Sequence, residues 1–397
     1  MAKYKTGANR NIYSGQTTGK NVIPGSPVAF ALRNTSDSLD GKTELIKSGE
    51  LLPGRSASEP MAGQPSNGGG IAMEFSALSF DRLLSGVMMN NWVQDESDAH
   101  ISTLTPGNIS KAFWILKHFS EADRPLFQLF EGAQLDSLEL TFAINAIVTG
   151  NFSFMGINDP LMETANPVAG LSSLPASLTT SPFTSRRGFL KLGSGATGVP
   201  ITYSKEVKLS IKNNLAAVGA LFQDTASIVE KMFDVGGSIT TYLTDETLFN
   251  SAVNKDNLAF AIQVEDAAGN SYLFELSNTK LDTHSAAASG RDELSPTYPF
   301  TAFGTDTIKI TRTLATARPV YTLTFDGNSE TGGTEPAAVP TLEAGSVIYA
   351  PANTGALVQT GSVFTGWNSA ADGTGVHFDV GDPILVEGAT TIYAEWE

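Results

Sequence analysis

From Leu138 to Gly156 the chain reads LELTFAINAIVTGNFSFMG, and apolar residues recur at every second position: Leu138, Leu140, Phe142, Ile144, Ala146 and Val148, then Phe152 and Phe154. Glu139, Thr141, Asn145, Thr149, Asn151 and Ser153 fall on the other face. A period of two marks a strand with one buried face, because successive side chains point to opposite sides of a sheet. Straight, the run would extend roughly 60 Å at ~3.3 Å per residue, beyond an ordinary strand. It must bend, change sheets or fold back, and Gly150 is the residue that permits any of these. Phe142, Ile144, Phe152 and Phe154 are predicted to face the core. A long two-faced strand suits a barrel wall or an assembly better than a small enzyme pocket.

Composition agrees with a chain built from strands. Only 17% of the residues are charged, and there are 38 Gly and 19 Pro, as in an all-β protein full of turns. At 397 residues the chain is long enough for two or three domains, each with its own core. There is no cysteine, so disulfides and thiolate metal sites are excluded. The start, MAKYKTGANRNIYSG, has no apolar h-region, and no run approaches the ~18 apolar residues of a membrane span. Synthesis as a soluble protein in a cytoplasm is the expectation.

The net charge of −16 disfavours phosphate-backbone binding as a main function. Its location matters more than its size. Residues 320–397 contain ten acids and neither Lys nor Arg, which leaves 25 bases against 31 acids, or −6, for the rest.

Along the chain, Val28–Leu32 is a short strand candidate, and Asp40–Gly70, with its Pro and Gly residues, reads as a long contact or surface loop. Ile71–Leu78 reads as a strand and Phe80–Met89 as a helix, with Ser79 as N-cap and Asp81 in its first turn. Leu83, Leu84, Val87 and Met88 form its apolar stripe, expected to pack in the core. Lys111–Phe119 reads as a strand buried on both faces. Residues 159–198 read as a second long insertion, and Ala226–Phe233 as a short helix. Lys205–Ile211, Gly237–Leu243, Leu258–Glu265, Tyr272–Leu276 and Thr307–Thr313 read as strands, with a hairpin turn at Asp266–Asn270. Ala315–Pro319 reads as a linker to a separate module.

Motifs for chemistry are weak. Gly193–Gly198, GSGATG, matches a dinucleotide fingerprint by letter, but that motif needs a following helix and Val199-Pro200 follow instead. His100, His118, His284 and His377 lie far apart without metal-ligand spacing, and no GxSxG elbow occurs. Asp326-Gly327-Asn328 and Asp372-Gly373 are turn signals, not calcium loops. No catalytic residue, metal or cofactor is assigned.

Several blocks, in order, carry a resemblance: LRNTSDSL at 32–39, SGELLPGR at 48–55, MEFSALSFDRLLSGVMMNNW at 73–92, LFEGAQLDSLELTFAINAIVTGNFSFMG at 129–156, VKLSIKNNL at 207–215 and YPFTAFGTDTIKITR at 298–312. Together they resemble the tail tube (major tail) proteins of long-tailed phages. That resemblance implies a mainly β protomer, a β-barrel or β-sandwich with a flanking α-helix and long loops. It also implies hexameric rings that stack into a tube for genomic DNA, in contact with tape measure, tail terminator and tip proteins. Residues 320–397 are similar to the Listeria–Bacteroides repeat, a small β-grasp-like module of surface proteins, through YTLTFDGNSETGG, FTGWNSAADGTG and TIYAEW. Ser329-Glu330 stand where that motif carries two glycines. Trp367 and Trp396 are the expected core of this module.

The expected organisation is a tail tube domain over 1–314, with an insertion at about 159–198, a linker at 315–319 and a surface domain at 320–397. In the tube, Glu139, Thr141, Asn145 and Thr149 are candidates for the lumen or for a neighbouring subunit. DNA must slide without sticking, and Gln134–Gly156 contains no Lys or Arg. Glu50, Arg55 and Glu59 are candidates for contacts between protomers or rings. The extra domain is expected outside the tube, where it leaves little room for a sheath, so the tail would be non-contractile and the protein a part of the virion. Its deletion should leave tube assembly intact, and its expected role is either weak host-surface contact or simply stabilising or solubilising the tail. The rival functions are a bacterial surface adhesin and a phage head or neck decoration protein.

Overall fold

The computed structural model describes residues 10–18, 22–50, 58–120, 124–221, 223, 226–244, 246–282, 293–305 and 307–397. The fold is mainly β, with two short helices, α1 (Asp81–Val87) and α2 (Thr247–Asn254), among the described residues. Its hub is the 18-residue strand Leu126–Ala143. The first half pairs with Ala112–Phe119, and the second half lies between Thr149–Gly156 and Ser204–Lys212. Between the halves the register slips: Phe113 faces Ala133, but Ile115 faces Phe130. Gly132 takes φ +62 there, the left-handed conformation of a bulge residue.

The overlong alternation therefore resolves by folding back, but not at Gly150. The strand turns between Ala143 and Thr149, where Asn145 has φ +54 and the Ala146 amide donates to the Ala143 carbonyl. Asn tolerates this conformation better than other residues with a Cβ. Ile144, expected in the core, lies in that turn and is 54% exposed. Phe142, Phe152 and Phe154 are buried as expected. Gly150 sits within a strand, between Leu140 and Met73. A Cβ there would lie 2.6 Å from Met73 Cε and 2.7 Å from the Glu139 carbonyl, so crowding explains the glycine.

Outward from the hub the strand order is Met61–Glu74, Thr149–Gly156, Leu126–Ala143, Ser204–Lys212, Asp234–Thr241 and Thr297–Ala302. The sheet continues through Ser271–Leu281 and Lys309–Thr313 to Ile101–Leu104. It does not close into a barrel. The core gathers Phe75 against Phe183 at 5.3 Å and Tyr272 at 5.2 Å between ring centroids, with Phe80, Phe152 and Phe274 around them. Phe183 anchors the insertion, because its amide donates to the Phe75 carbonyl and its carbonyl accepts from Val148.

Helix α1 buries Leu83, Leu84 and Val87 completely, and Met88 follows, fully buried, at its end. At about 1.5–3 kcal/mol per buried large aliphatic side chain, this stripe holds the helix in place. Ser79 is not its cap. The N-cap position is Phe80, without a side-chain bond, and Ser79 Oγ instead reaches the Ala77 carbonyl. The region expected as a loop at Asp40–Gly70 is a hairpin arm, with Asp40–Ile46 paired to Met61–Glu74. Its glycine run mimicked a loop because Gly69, at φ +130, approaches the Ser38 carbonyl so closely that a Cβ would lie 2.2 Å from it. The helix expected at Ala226–Phe233 is replaced by the strand Ser227–Val229, paired with Ala216–Val218. Ala112–Phe119 is buried on both faces, and His118 stacks on Phe127 with ring centroids 4.5 Å apart.

Residues 320–397 form a second cluster of buried side chains. Val320–Asp326 runs parallel to Thr390–Trp396, and Phe364–Asn368 pairs with the latter's other edge. Trp367 is fully buried, with Nε1 donating to the Pro351 carbonyl at 2.7 Å. Trp396 packs edge-on to Phe364 and donates to the Gly327 carbonyl. Asn328 and Ser329 both take positive φ in the turn where the repeat's glycines are absent.

Candidate functional site

Three surfaces stand out. The first is the solvent face of the sheet. Glu139 lies opposite Asn151 and Ser210, and Thr141 opposite Thr149 and Lys208, while Leu138 and Leu140 point into the core. Glu139 and Thr149 are exposed and Thr141 is half-buried, whereas Asn145 occupies the turn at the end of the strands. By register this face also carries Glu74, Glu206, Lys212 and Asp234. Lys208 pairs with Glu206 at 3.3 Å. The face is thus mixed, not free of bases as Gln134–Gly156 is. Beside the Asn145 turn, a cleft of about 340 Å³ is rimmed by Arg186, Arg187 and Lys205.

The second surface is the hairpin arm. Leu45, Ile46 and Met61 are 61%, 61% and 74% exposed near its end. Glu50 and Glu59 are exposed beside them, and Arg55 lies outside the described residues. The arm is braced at its base, where Thr43 Oγ1 donates to Asp159 at 2.6 Å and Gln64 Nε2 donates to the Gln223 carbonyl at 2.9 Å.

The third is buried and ionic. Arg312, with no exposed surface, places Nη1 2.6 Å from Asp81 Oδ2 and Nη2 2.5 Å from Glu343 Oε1. Its guanidinium lies 4.5 Å from the Trp92 ring centroid, and Ser102 Oγ donates to Glu343. Tyr272 donates its hydroxyl to Asp81 Oδ1, and Arg318 reaches Asp81 Oδ2 at 3.2 Å. Burial against the Asp81 carboxylate raises the proton affinity of Tyr272 well above the phenol range. Beside this group, Arg82 forms two bonds to Glu387, at 2.5 and 2.6 Å. Lys111 is buried too, and donates to Ser85 Oγ, Asn91 Oδ1 and the Gly345 carbonyl. Burial, reinforced by Arg82, lowers its pKa to about 7 against the partial opposition of Glu343 and Glu387.

A family model described as phage tail tube protein matches residues 7–302, and one for the Listeria-Bacteroides repeat domain matches 321–395. The chain belongs to the phage tail tube protein family. No curated protein matches it.

In this tail tube protein the GSGATG stretch is a turn. Gly193 has φ +104, the Gly198 amide donates to the Ser194 carbonyl, and the strand Val199–Pro200 follows. Among the described residues no three potential ligands gather for a metal. His100 Nδ1 meets the Leu314 carbonyl and His377 contacts Glu395 and Asp379, while His284 lies outside the described residues. Sequence reasoning missed the buried ionic group. Its signal was the alternation Ile308, Ile310, Arg312, which aims an arginine to the same side as two fully buried isoleucines.

Proposed function

We propose that this structural virion protein is the protomer of hexameric rings that stack into the tail tube of a non-contractile phage and guide genomic DNA during ejection. The observation that carries this reading is the placement of helix α1. On one side, Gly86 packs against Leu135 and Phe113, so closely that a Cβ would lie 2.6 Å from Leu135 Cδ1. Leu135 is buried in the core beneath the sheet that carries Glu139. On the other side, Arg82 reaches Glu387 of residues 320–397. The polar face and the C-terminal segment are thereby separated by the core and the helix.

In the proposed tube, Glu139, Thr141 and Thr149 line the bore, with Asn145 at its edge toward a neighbour. On that face Glu74, Glu139, Glu206 and Asp234 are interspersed with Lys208, Lys212 and Lys280, while Arg186, Arg187 and Lys205 cluster only at its edge, so DNA meets no continuous cationic track. The arm, with Glu50, Arg55 and Glu59 and its apolar end, contacts the next protomer or ring and so covers the exposed Leu45, Ile46 and Met61. Residues 1–314 form the tube domain, and residues 320–397 decorate the outside, where weak host-surface contact is their role. Tape measure, terminator and tip proteins complete the tail, and synthesis takes place in the host cytoplasm.

Negative-stain microscopy of the purified protein tests this reading. Annular rings or tubes, with a C-terminal gold label at the outer edge, are the expected result. Monomers at every concentration would overturn it in favour of an adhesin.

A further inference from the structure

The C-terminal domain of a tail tube protein of this kind reads from sequence as a decoration on a linker. The charges where it meets the body argue otherwise. The body contributes Arg82 and Ser85 from α1, Asn91, Trp92, Lys111, Gln16 and the strand residue Arg312, with Arg318 at the end of the connection. Residues 320–397, which have neither Lys nor Arg, contribute Glu343 and Glu387. With the domain in place, Arg82 and Arg312 of the body and Arg318 of the connection face three carboxylates, Asp81, Glu343 and Glu387, with the buried Lys111 beside them. Without it, Arg82 and Arg312 would face Asp81 alone.

Polar contacts make the fit specific. Asn91 uses its side-chain amide as a strand would, donating to the Val347 carbonyl at 2.8 Å and accepting from the Val347 amide at 2.9 Å. The Gly345 carbonyl accepts from both Gln16 Nε2 and Lys111 Nζ. Gly345 takes φ +87, and a Cβ on it would lie 2.5 Å from Gln16 Oε1, so glycine is required for the approach. Leu342 pairs with Val93 of the body, which joins the two sheets edge to edge.

We infer that this cationic surface of the body is a dedicated docking site for the chain's own acidic C-terminal domain, which is a fixed part of the protomer. A buried arginine carries its charge at any accessible pH, so Arg312 cannot relieve the loss of Glu343 by deprotonating. The body therefore depends on the domain for its own stability. Every copy in an assembly holds the domain at one angle. This inference concerns the folded chain and stands whether or not rings form.

The test is to insert a protease site between Thr316 and Ala317 of the full chain and cut the folded protein. The two pieces are expected to co-elute at low ionic strength, and the uncut chain to melt in a single calorimetric transition. With E343Q/E387Q the cut pieces should separate, and the charge-swapped pair R82E/E387R should remain joined. Wild-type pieces that part on cutting would overturn the inference. So would E343Q/E387Q pieces that stay together as firmly as the wild type, because charge would then not hold the domain.

Discussion

Arg312 and Glu343 meet across the 315–319 connection, with Nη2 2.5 Å from Oε1 and side-chain exposures of 0% and 3%. Removing one partner of a buried pair leaves the other charged and without its counter-ion. Glu343→Ala is expected to cost about 3–5 kcal/mol in denaturant unfolding. A loss below about 1 kcal/mol, the range of an exposed pair, would mean that Asp81 alone neutralises Arg312.

Lys111 gives stability a pH dependence of known sign. Its folded pKa is about 7, below its ordinary 10.5, so between these values the unfolded chain holds a proton that the folded chain has released. Stability is expected to rise with pH across that window, with a slope of up to about 1.4 kcal/mol per unit. Tyr272, shifted upward, works in the opposite sense above pH 10, and His377, raised by its hydrogen bond to Glu395, does so just above its ordinary 6.5, so the lysine is read as the difference between the wild type and Lys111→Met over pH 7 to 9. Lys111→Met should flatten the slope; an unchanged slope would assign it to another group.

Asn145 and Gly150 exchange the roles that alternation alone assigns. Asn145→Gly should be tolerated within about 0.5 kcal/mol, because φ +54 suits glycine. Gly150→Ala should cost about 1–3 kcal/mol through overpacking against Met73 and the Glu139 carbonyl. Thermal melts of the two variants compare them directly, and the reverse order would place the turn at Gly150 after all.

Charge reversal probes the solvent face. E139K/T141K is expected to assemble like the wild type but to release DNA more slowly in triggered ejection, most of all at low salt. If these variants fail to form tubes, the face contacts a neighbouring subunit instead of DNA.

The arm separates folding from assembly. Replacing Leu45, Ile46 and Met61 together by Ser removes exposed apolar surface only, so the melting behaviour of the single chain should barely change. Tubes are expected to disappear, as counted by electron microscopy. Normal tubes from this variant would exclude the arm end from the contact.

Much of the fold was legible in local pattern. The alternation around Leu138 and Phe152, the stripe Leu83–Met88 and the two-sided burial of Ala112–Phe119 follow from periodicities of two and 3.6, which neighbouring side chains alone create. The arm was not legible, because Gly68-Gly69-Gly70 reads as loop until the Ser38 backbone is brought against it. Among the site residues, Glu139 and Thr149 were legible as a solvent face, but not the Lys208 and Lys212 that a neighbouring strand adds to it.

By itself the sequence determined a mainly β chain with a charge-poor body, an acidic C-terminal segment without Lys or Arg and a long strand that could not remain straight. Each of these is a local or compositional property. Tertiary structure alone decided that the strand bends at Gly132 and turns at Asn145, and that Arg312 is held between Asp81 and Glu343. Those outcomes depend on contacts between residues as far apart as 231 positions, and nothing in the local pattern encodes which charges will be buried together.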